Sequence, residues 1–191
     1  MKKMMILAAL LVVASVATAG VNVGDTAPDF TLMDTEGNSV SLSDFEGKIV
    51  VLEWLNPDCP YVKRHYKAGT MKGLAERYAG KDVVWLTINS TNYMDAEANA
   101  KFKAENDLPY TILVDQDGTV GHSYDAATTP HMYIIDGEGT LVYMGAIDDD
   151  PRGSSDAPKN YVAAALDEVT AGKAVTTAET KPYGCSVKYK K

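Results

Sequence analysis

Two thiols stand out among the 191 residues: Cys59, in Asn56-Pro57-Asp58-Cys59-Pro60-Tyr61-Val62-Lys63-Arg64, and Cys185, in Lys181-Pro182-Tyr183-Gly184-Cys185-Ser186-Val187-Lys188-Tyr189-Lys190-Lys191. The thiolate is the reactive form of cysteine, and a helix N-terminus or nearby cations favour it. Cys59 follows an apolar run and precedes Pro60, a residue suited to the first turn of a helix. That places Cys59 at a strand-to-helix junction, with Lys63 and Arg64 close by, and points to a reactive thiol rather than an inert one. Four lysines surround Cys185, which on this reading also favours its thiolate. Two cysteines allow one internal pair. It is either a redox couple or a structural clip, and a clip closing more than 100 residues stabilises a fold by about 4–5 kcal/mol in the chain-entropy model.

The elements that must position these thiols are legible in outline. Asp29–Met33 and Ser39–Leu42 flank a Glu36-Gly37-Asn38 turn and read as an N-terminal hairpin. Ile49–Leu55 reads as a buried central strand. A helix is expected from near Cys59 to about Tyr78, with Gly69 and Gly73 marking a kink or break in its middle. Val83–Asn89 is a second buried strand, Asp95–Asn106 a helix capped by Asp95, and Thr111–Val114 a short strand ending at Asp115-Gln116-Asp117-Gly118. His131–Ile135 and Leu141–Ala146 form a hairpin across Asp136-Gly137-Glu138-Gly139, and Asn160–Ala171 is the closing helix. Alternating strands and helices imply a partly parallel sheet covered on both faces; the late hairpin makes it mixed. The class is α/β.

The first residues place two lysines before an apolar run that ends in Ala17-Thr18-Ala19, the pattern of a secretory signal peptide with cleavage after Ala19. The apolar stretch is shorter than the roughly 20 residues that span a bilayer. The expectation is therefore a signal peptide at 1–19, one domain over 20–171, and a tail over 172–191 that carries Cys185. An exported chain, periplasmic or extracellular, meets conditions in which disulfides persist. Its net charge is −8, and −10 without the two lysines of the leader. Such an acidic chain is a poor partner for nucleic acid or anionic lipid, and no stable membrane association is expected after cleavage. His65, His122 and His131 fit no common zinc spacing. No metal or organic cofactor is implied.

Gly24-Asp25-Thr26-Ala27-Pro28-Asp29-Phe30-Thr31-Leu32, with Asp34 through Leu42 and Gly47-Lys48 before the apolar strand, resembles the opening of the redoxin group, the alkyl hydroperoxide reductase and thiol-specific antioxidant family. Thr128-Thr129-Pro130-His131 resembles the cis-proline loop of thioredoxin-fold proteins, and Leu141-Val142-Tyr143-Met144-Gly145 the strand after the hairpin. The likeness spans about residues 22–171. It implies a thioredoxin-like fold with a mixed central sheet flanked by helices, and Pro130 cis and facing Cys59.

The resemblance also implies site residues. The family's usual motif is Cys-x-x-Cys, but here Val62 stands where the second cysteine belongs. Glu53, six residues before Cys59, holds the place of the buried acid that moves protons in thioredoxins; read alone, it is equally a strand-end glutamate reaching solvent. The peroxiredoxin motif Pro-x-x-x-Thr/Ser-x-x-Cys fails, with Leu52 and Asn56 at its proline and threonine positions. Arg64 and Arg152 are the candidate arginines for polarising a peroxide. Similar proteins with a Cys-Pro-Tyr motif end in a Gly-Cys-x-x-Lys tail, which makes Cys185 the candidate resolving cysteine. From Gly172 to Cys185 is 13 residues, a reach of about 45 Å, so chain length permits contact with Cys59.

The expected function is thiol-dependent oxidoreduction. Cys59, Cys185, Glu53 and Pro130 form the catalytic set, and Asn56, Pro60, Tyr61 and Thr129 contact the substrate. The partners are a thiol, disulfide or peroxide substrate and an external dithiol reductant. The alternative is a non-catalytic binding module on the same fold, stapled by an inert disulfide.

Overall fold

The computed structural model of the protein describes residues 20–191, so the expected signal peptide lies outside the described residues. Strands β1 (Thr31–Asp34) and β2 (Ser39–Ser41) form the N-terminal hairpin, and β3 (Ile49–Trp54) is the buried central strand. Next come α1 (Pro60–Lys67), α2 (Thr70–Tyr78), β4 (Val83–Asn89), α3 (Ala96–Glu105) and β5 (Thr111–Val114). Then follow α4 (Thr119–Ser123), β6 (Thr128–Thr129), β7 (His131–Ile135), β8 (Leu141–Gly145), α5 (Tyr161–Val169) and β9 (Cys185–Ser186).

Seven strands share one sheet in the order β2-β1-β5-β4-β3-β7-β8. Strands β3, β4 and β5 run parallel; β7 is antiparallel to β3, β8 to β7, and β1 to β5. This is the mixed sheet of a thioredoxin-like fold. Alternate residues of β3 enter different cores, as the period-2 geometry of a strand requires. Val51 joins Met71, Val62, Leu166 and Cys59 under α1, α2 and α5. Val50, Leu52 and Trp54 pack with Phe30, Val120, Tyr124 and Val187. The second face is thus covered by the five-residue α4, the N-terminal segment and the end of the tail, rather than by long helices.

The single long helix expected from Cys59 to Tyr78 is divided. Gly69 adopts φ +70°, a left-handed conformation that favours glycine, and ends α1 before α2 begins. Gly73 is accommodated inside α2. Asp95 caps α3, its carboxylate accepting the Ala98 N–H at 2.9 Å, and Asn160 caps α5 in the same way at 2.7 Å. The tail is no loose arm. It runs beside β8, where the Met144 N–H donates to Ala178 O and the Thr180 N–H to Met144 O, and then crosses to pair as β9 with β6. Among the described residues no helix is long and apolar enough to cross a membrane.

Candidate active site

Cys59 sits where the chain leaves the central strand. Asn56 shapes the turn: its side-chain Oδ1 accepts the Asp58 N–H at 2.8 Å and its carbonyl accepts the Cys59 N–H at 3.0 Å. Cys59 is the N-cap of α1 and Pro60 its first residue. Cys59 is 1 % exposed, and its thiol donates to the Thr129 carbonyl at 2.9 Å. Burial opposes ionisation of this thiol. Hydrogen bonds from the Cys185 thiol, the Val62 N–H at the helix start, the Thr129 hydroxyl and the Cys185 N–H outweigh it, and leave the pKa below the ordinary cysteine value.

Cys185 is brought to this thiol by the tail. In the β6–β9 pair Thr129 lies opposite Cys185, and the peptide between Thr129 and Pro130 is cis. Gly184, at φ +142°, passes so close that an added Cβ would lie 2.1 Å from the Thr129 carbonyl oxygen. On one side of this crossing Thr180 Oγ1 meets the Tyr143 hydroxyl at 2.8 Å and accepts the Ala146 N–H at 2.9 Å. On the other, Asn92 Nδ2 donates to Lys188 O at 2.7 Å, and Tyr189 stacks on His122 at 4.0 Å. Both cysteines are free thiols. Burial pushes the Cys185 thiol up to about 11, reinforced by its hydrogen bond to Cys59 and by the charge there, while Lys188 pulls weakly the other way. The expectation that the tail lysines favour a Cys185 thiolate is therefore corrected: burial first, and then the facing Cys59 sulfur, outweigh Lys188, and the anion rests on Cys59.

Glu53 is fully buried, on the face of β3 that also carries Val51. Its carboxylate accepts from Trp85 Nε1 and the Tyr66 hydroxyl, each at 3.0 Å, and from the Thr87 hydroxyl at 3.3 Å. Desolvation dominates those bonds and raises its pKa from 4.5 to about 7. His131, next to Pro130, is pushed down to about 4 by burial and stays neutral, its Nδ1 facing the Tyr133 hydroxyl at 2.8 Å.

The remaining candidates lie around this pair of cysteines. The Asn56 Oδ1 is committed to its own loop, and Thr129 is fully buried beneath the tail. Pro60 is exposed at the rim, and the ring of Tyr61 lies 5.8 Å from that of Tyr183. Arg64 donates to the carbonyls of Pro151 at 3.0 Å and Asp150 at 2.9 Å, so its guanidinium holds a loop; Arg152 is exposed. Among the described residues no cluster of three or more metal-ligating side chains occurs.

Comparison with known proteins decides the family. The model of the AhpC/TSA family matches residues 23–144. This chain belongs to the AhpC/TSA family. It is 32 % identical over 134 residues to the thioredoxin-like protein YneN of Bacillus subtilis, covering 67 % of this chain and 75 % of that one. It is 27 % identical to the thiol-disulfide oxidoreductase ResA of Bacillus thuringiensis, over 63 % of this chain and 67 % of the relative. It is 26 % identical to the peroxiredoxin Bcp of Bacillus subtilis, over 64 % and 83 %. Among solved structures, a hypothetical protein of Sinorhizobium meliloti 1021 superposes with a TM-score of 0.82 at 28 % identity, covering 90 % of this chain and 97 % of the other. An uncharacterized conserved protein of Geobacillus kaustophilus gives 0.81 at 32 %, covering 88 % and 93 %. The chain is an AhpC/TSA oxidoreductase of the thiol-disulfide and peroxiredoxin-like kind.

Within that family's fold, three residues at the site had no signal in the sequence. Tyr183, His65 and Asp148 meet beside α1, yet they come from three distant stretches with no motif between them. Gly184 was visible as part of the Gly-Cys tail, but its close approach to the cis-proline peptide was not.

Proposed function

We propose that this protein is an exported thiol-disulfide oxidoreductase in which Cys59 is the nucleophile and Cys185 the resolving cysteine. The observation that carries the reading is the β6–β9 crossing, which sets Cys185 opposite Thr129 and against the buried Cys59 sulfur. The Cys59 thiolate attacks one sulfur of a substrate disulfide. A Cys59 mixed disulfide forms and the other substrate sulfur leaves as a thiolate that takes a proton. Cys185, losing its proton, then attacks the Cys59 sulfur and expels the second substrate thiol. The two electrons reside on the released substrate dithiol, and the protein holds a Cys59–Cys185 disulfide. An external dithiol reverses that oxidation and is itself converted to a disulfide.

Glu53, half-ionised near neutral pH, serves as a buried proton reservoir beneath this exchange. Disulfide exchange is favoured over peroxide reduction because Leu52 and Asn56 replace the peroxiredoxin motif and Arg64 is bound to backbone carbonyls. Export rests on the signal-peptide pattern of residues 1–19. The test is turnover of a small disulfide by wild-type protein and Cys185→Ser. The variant should react once and stall as a mixed disulfide on Cys59; turnover at the wild-type rate would overturn the assignment of Cys185.

A further inference from the structure

Beside the two thiols lies a buried polar cluster with no part in the exchange itself. His65 is 4 % and Asp148 6 % exposed. The Tyr183 hydroxyl donates to Asp148 Oδ1 in a short hydrogen bond, faces His65 Nε2 at 3.0 Å and accepts from Arg64 Nη2 at 3.3 Å. The Tyr183 ring lies between partners as well, with the Tyr61 ring at 5.8 Å and the Arg64 guanidinium 5.8 Å above it. A buried carboxylate is costly unless donors reach it, and Asp148 is reached by this hydroxyl and by the Asp150 N–H at 3.0 Å.

Two features turn this cluster from packing into placement. Tyr61, Arg64 and His65 all belong to α1, the helix whose N-terminus holds Cys59. The α1 half of the receptor for Tyr183 therefore rides on the same helix as the nucleophile, while Asp148 reaches the hydroxyl from the loop after β8. Tyr183 is also two residues before Cys185, and the one residue between them, Gly184, is pressed against the Thr129 carbonyl. The tail has little slack between its hydroxyl anchor and its thiol.

We propose that Tyr183 is the positioning residue that holds Cys185 on Cys59, through a hydroxyl clasped by Asp148 and His65. The inference rests on the reading of the two cysteines as one redox couple. Clasping the tail raises the effective concentration of Cys185 at Cys59. It also keeps the reduced Cys59 covered, so one contact governs both the stability of the disulfide and access to the nucleophile.

Tyr183→Phe removes the hydroxyl and keeps the ring. In glutathione buffers its Cys59–Cys185 disulfide should form with an equilibrium constant about tenfold lower than wild type, a potential about 30 mV more oxidising. In the reduced protein, iodoacetamide should alkylate Cys59 several-fold faster. Asp148→Asn should move both readings the same way by a smaller amount. The control is Tyr78→Phe, which removes a similar tyrosine–carboxylate bond, to Asp167 at 2.7 Å, away from the tail; it should lower stability without changing either reading. If Tyr183→Phe leaves both readings at the wild-type values, or moves them no more than Tyr78→Phe does, the positioning role is overturned while the redox couple stands. If wild-type protein forms no Cys59–Cys185 disulfide, the couple itself fails and the inference falls with it.

Discussion

At 1 % exposure Cys59 is covered, whereas Cys185 beside it is partly open. A reducing thiol that approaches the oxidised pair meets Cys185 first. The leaving group argues the same way: exchange is faster when the departing thiol has the lower pKa, and here that is Cys59. Oxidised protein treated briefly with glutathione and quenched with iodoacetamide should carry glutathione on Cys185 and the alkyl group on Cys59, as read by peptide mass. The reverse pattern would show that the buried sulfur is the one attacked. Glu53 gives a second prediction at this scale. It ionises near 4.5 in the unfolded chain and near 7 in the folded one, so between those values the unfolded state releases its proton first. The contribution of Glu53 to stability is fully present below 4.5, is lost as pH rises to about 7, and is level above. Glu53→Gln keeps partners for Trp85 and Tyr66 but cannot ionise. It should remove that loss, gaining on the order of 2–3 kcal/mol in a denaturant titration at pH 8. The pH dependence of disulfide reduction should lose its step near 7. An unchanged profile would remove Glu53 from the proton traffic.

The elements explain why some of this was legible beforehand. Ile49–Leu55 and Val83–Asn89 are apolar β-branched runs, and such runs have few alternatives to a buried strand. Asp95 announces its helix because a short polar side chain satisfies backbone donors at only one place in a helix. The cis-proline loop and the buried acid were readable through resemblance to known redoxins. By contrast β6 and β9 are two residues each and have no period to detect; they exist because the tail folds back onto the Thr129–Pro130 loop. The five-residue α4 was hidden for a similar reason, its start being set by Asp115, which accepts the N–H groups of Val120 at 3.1 Å and Gly121 at 2.8 Å. The tail lysines misled because burial of the Cys185 thiol outweighs the pull of Lys188. Gly184 tests the crossing as an element. Gly184→Ala places a methyl carbon against the Thr129 carbonyl and must push β9 away from β6. Cys59–Cys185 disulfide formation should slow at least tenfold, measured by stopped-flow oxidation, with the rest of the fold intact by circular dichroism. A rate equal to wild type would mean that the tail reaches Cys59 by another path.

In the whole molecule the tail is a component of the core as well as of the site. Val187 is buried with Trp54 and Val120, and the Tyr189 hydroxyl donates to Ala126 O at 2.7 Å. A chain ending at Thr180 should therefore lose on the order of 2–4 kcal/mol of stability from the apolar area uncovered, read as a lower thermal midpoint, and its Cys59 should be alkylated at the rate of an open thiol. The central claim is that Cys59 and Cys185 form one reversible couple, and the reduction potential of that pair in the wild-type protein tests it most directly. Glutathione-buffer titration, with the linkage verified by a peptide pair joining residues 59 and 185, should give a potential above about −300 mV, within reach of a cellular dithiol. A potential below that value would make the bond a structural clip, and two thiols that stay free under oxidising conditions would contradict the couple outright.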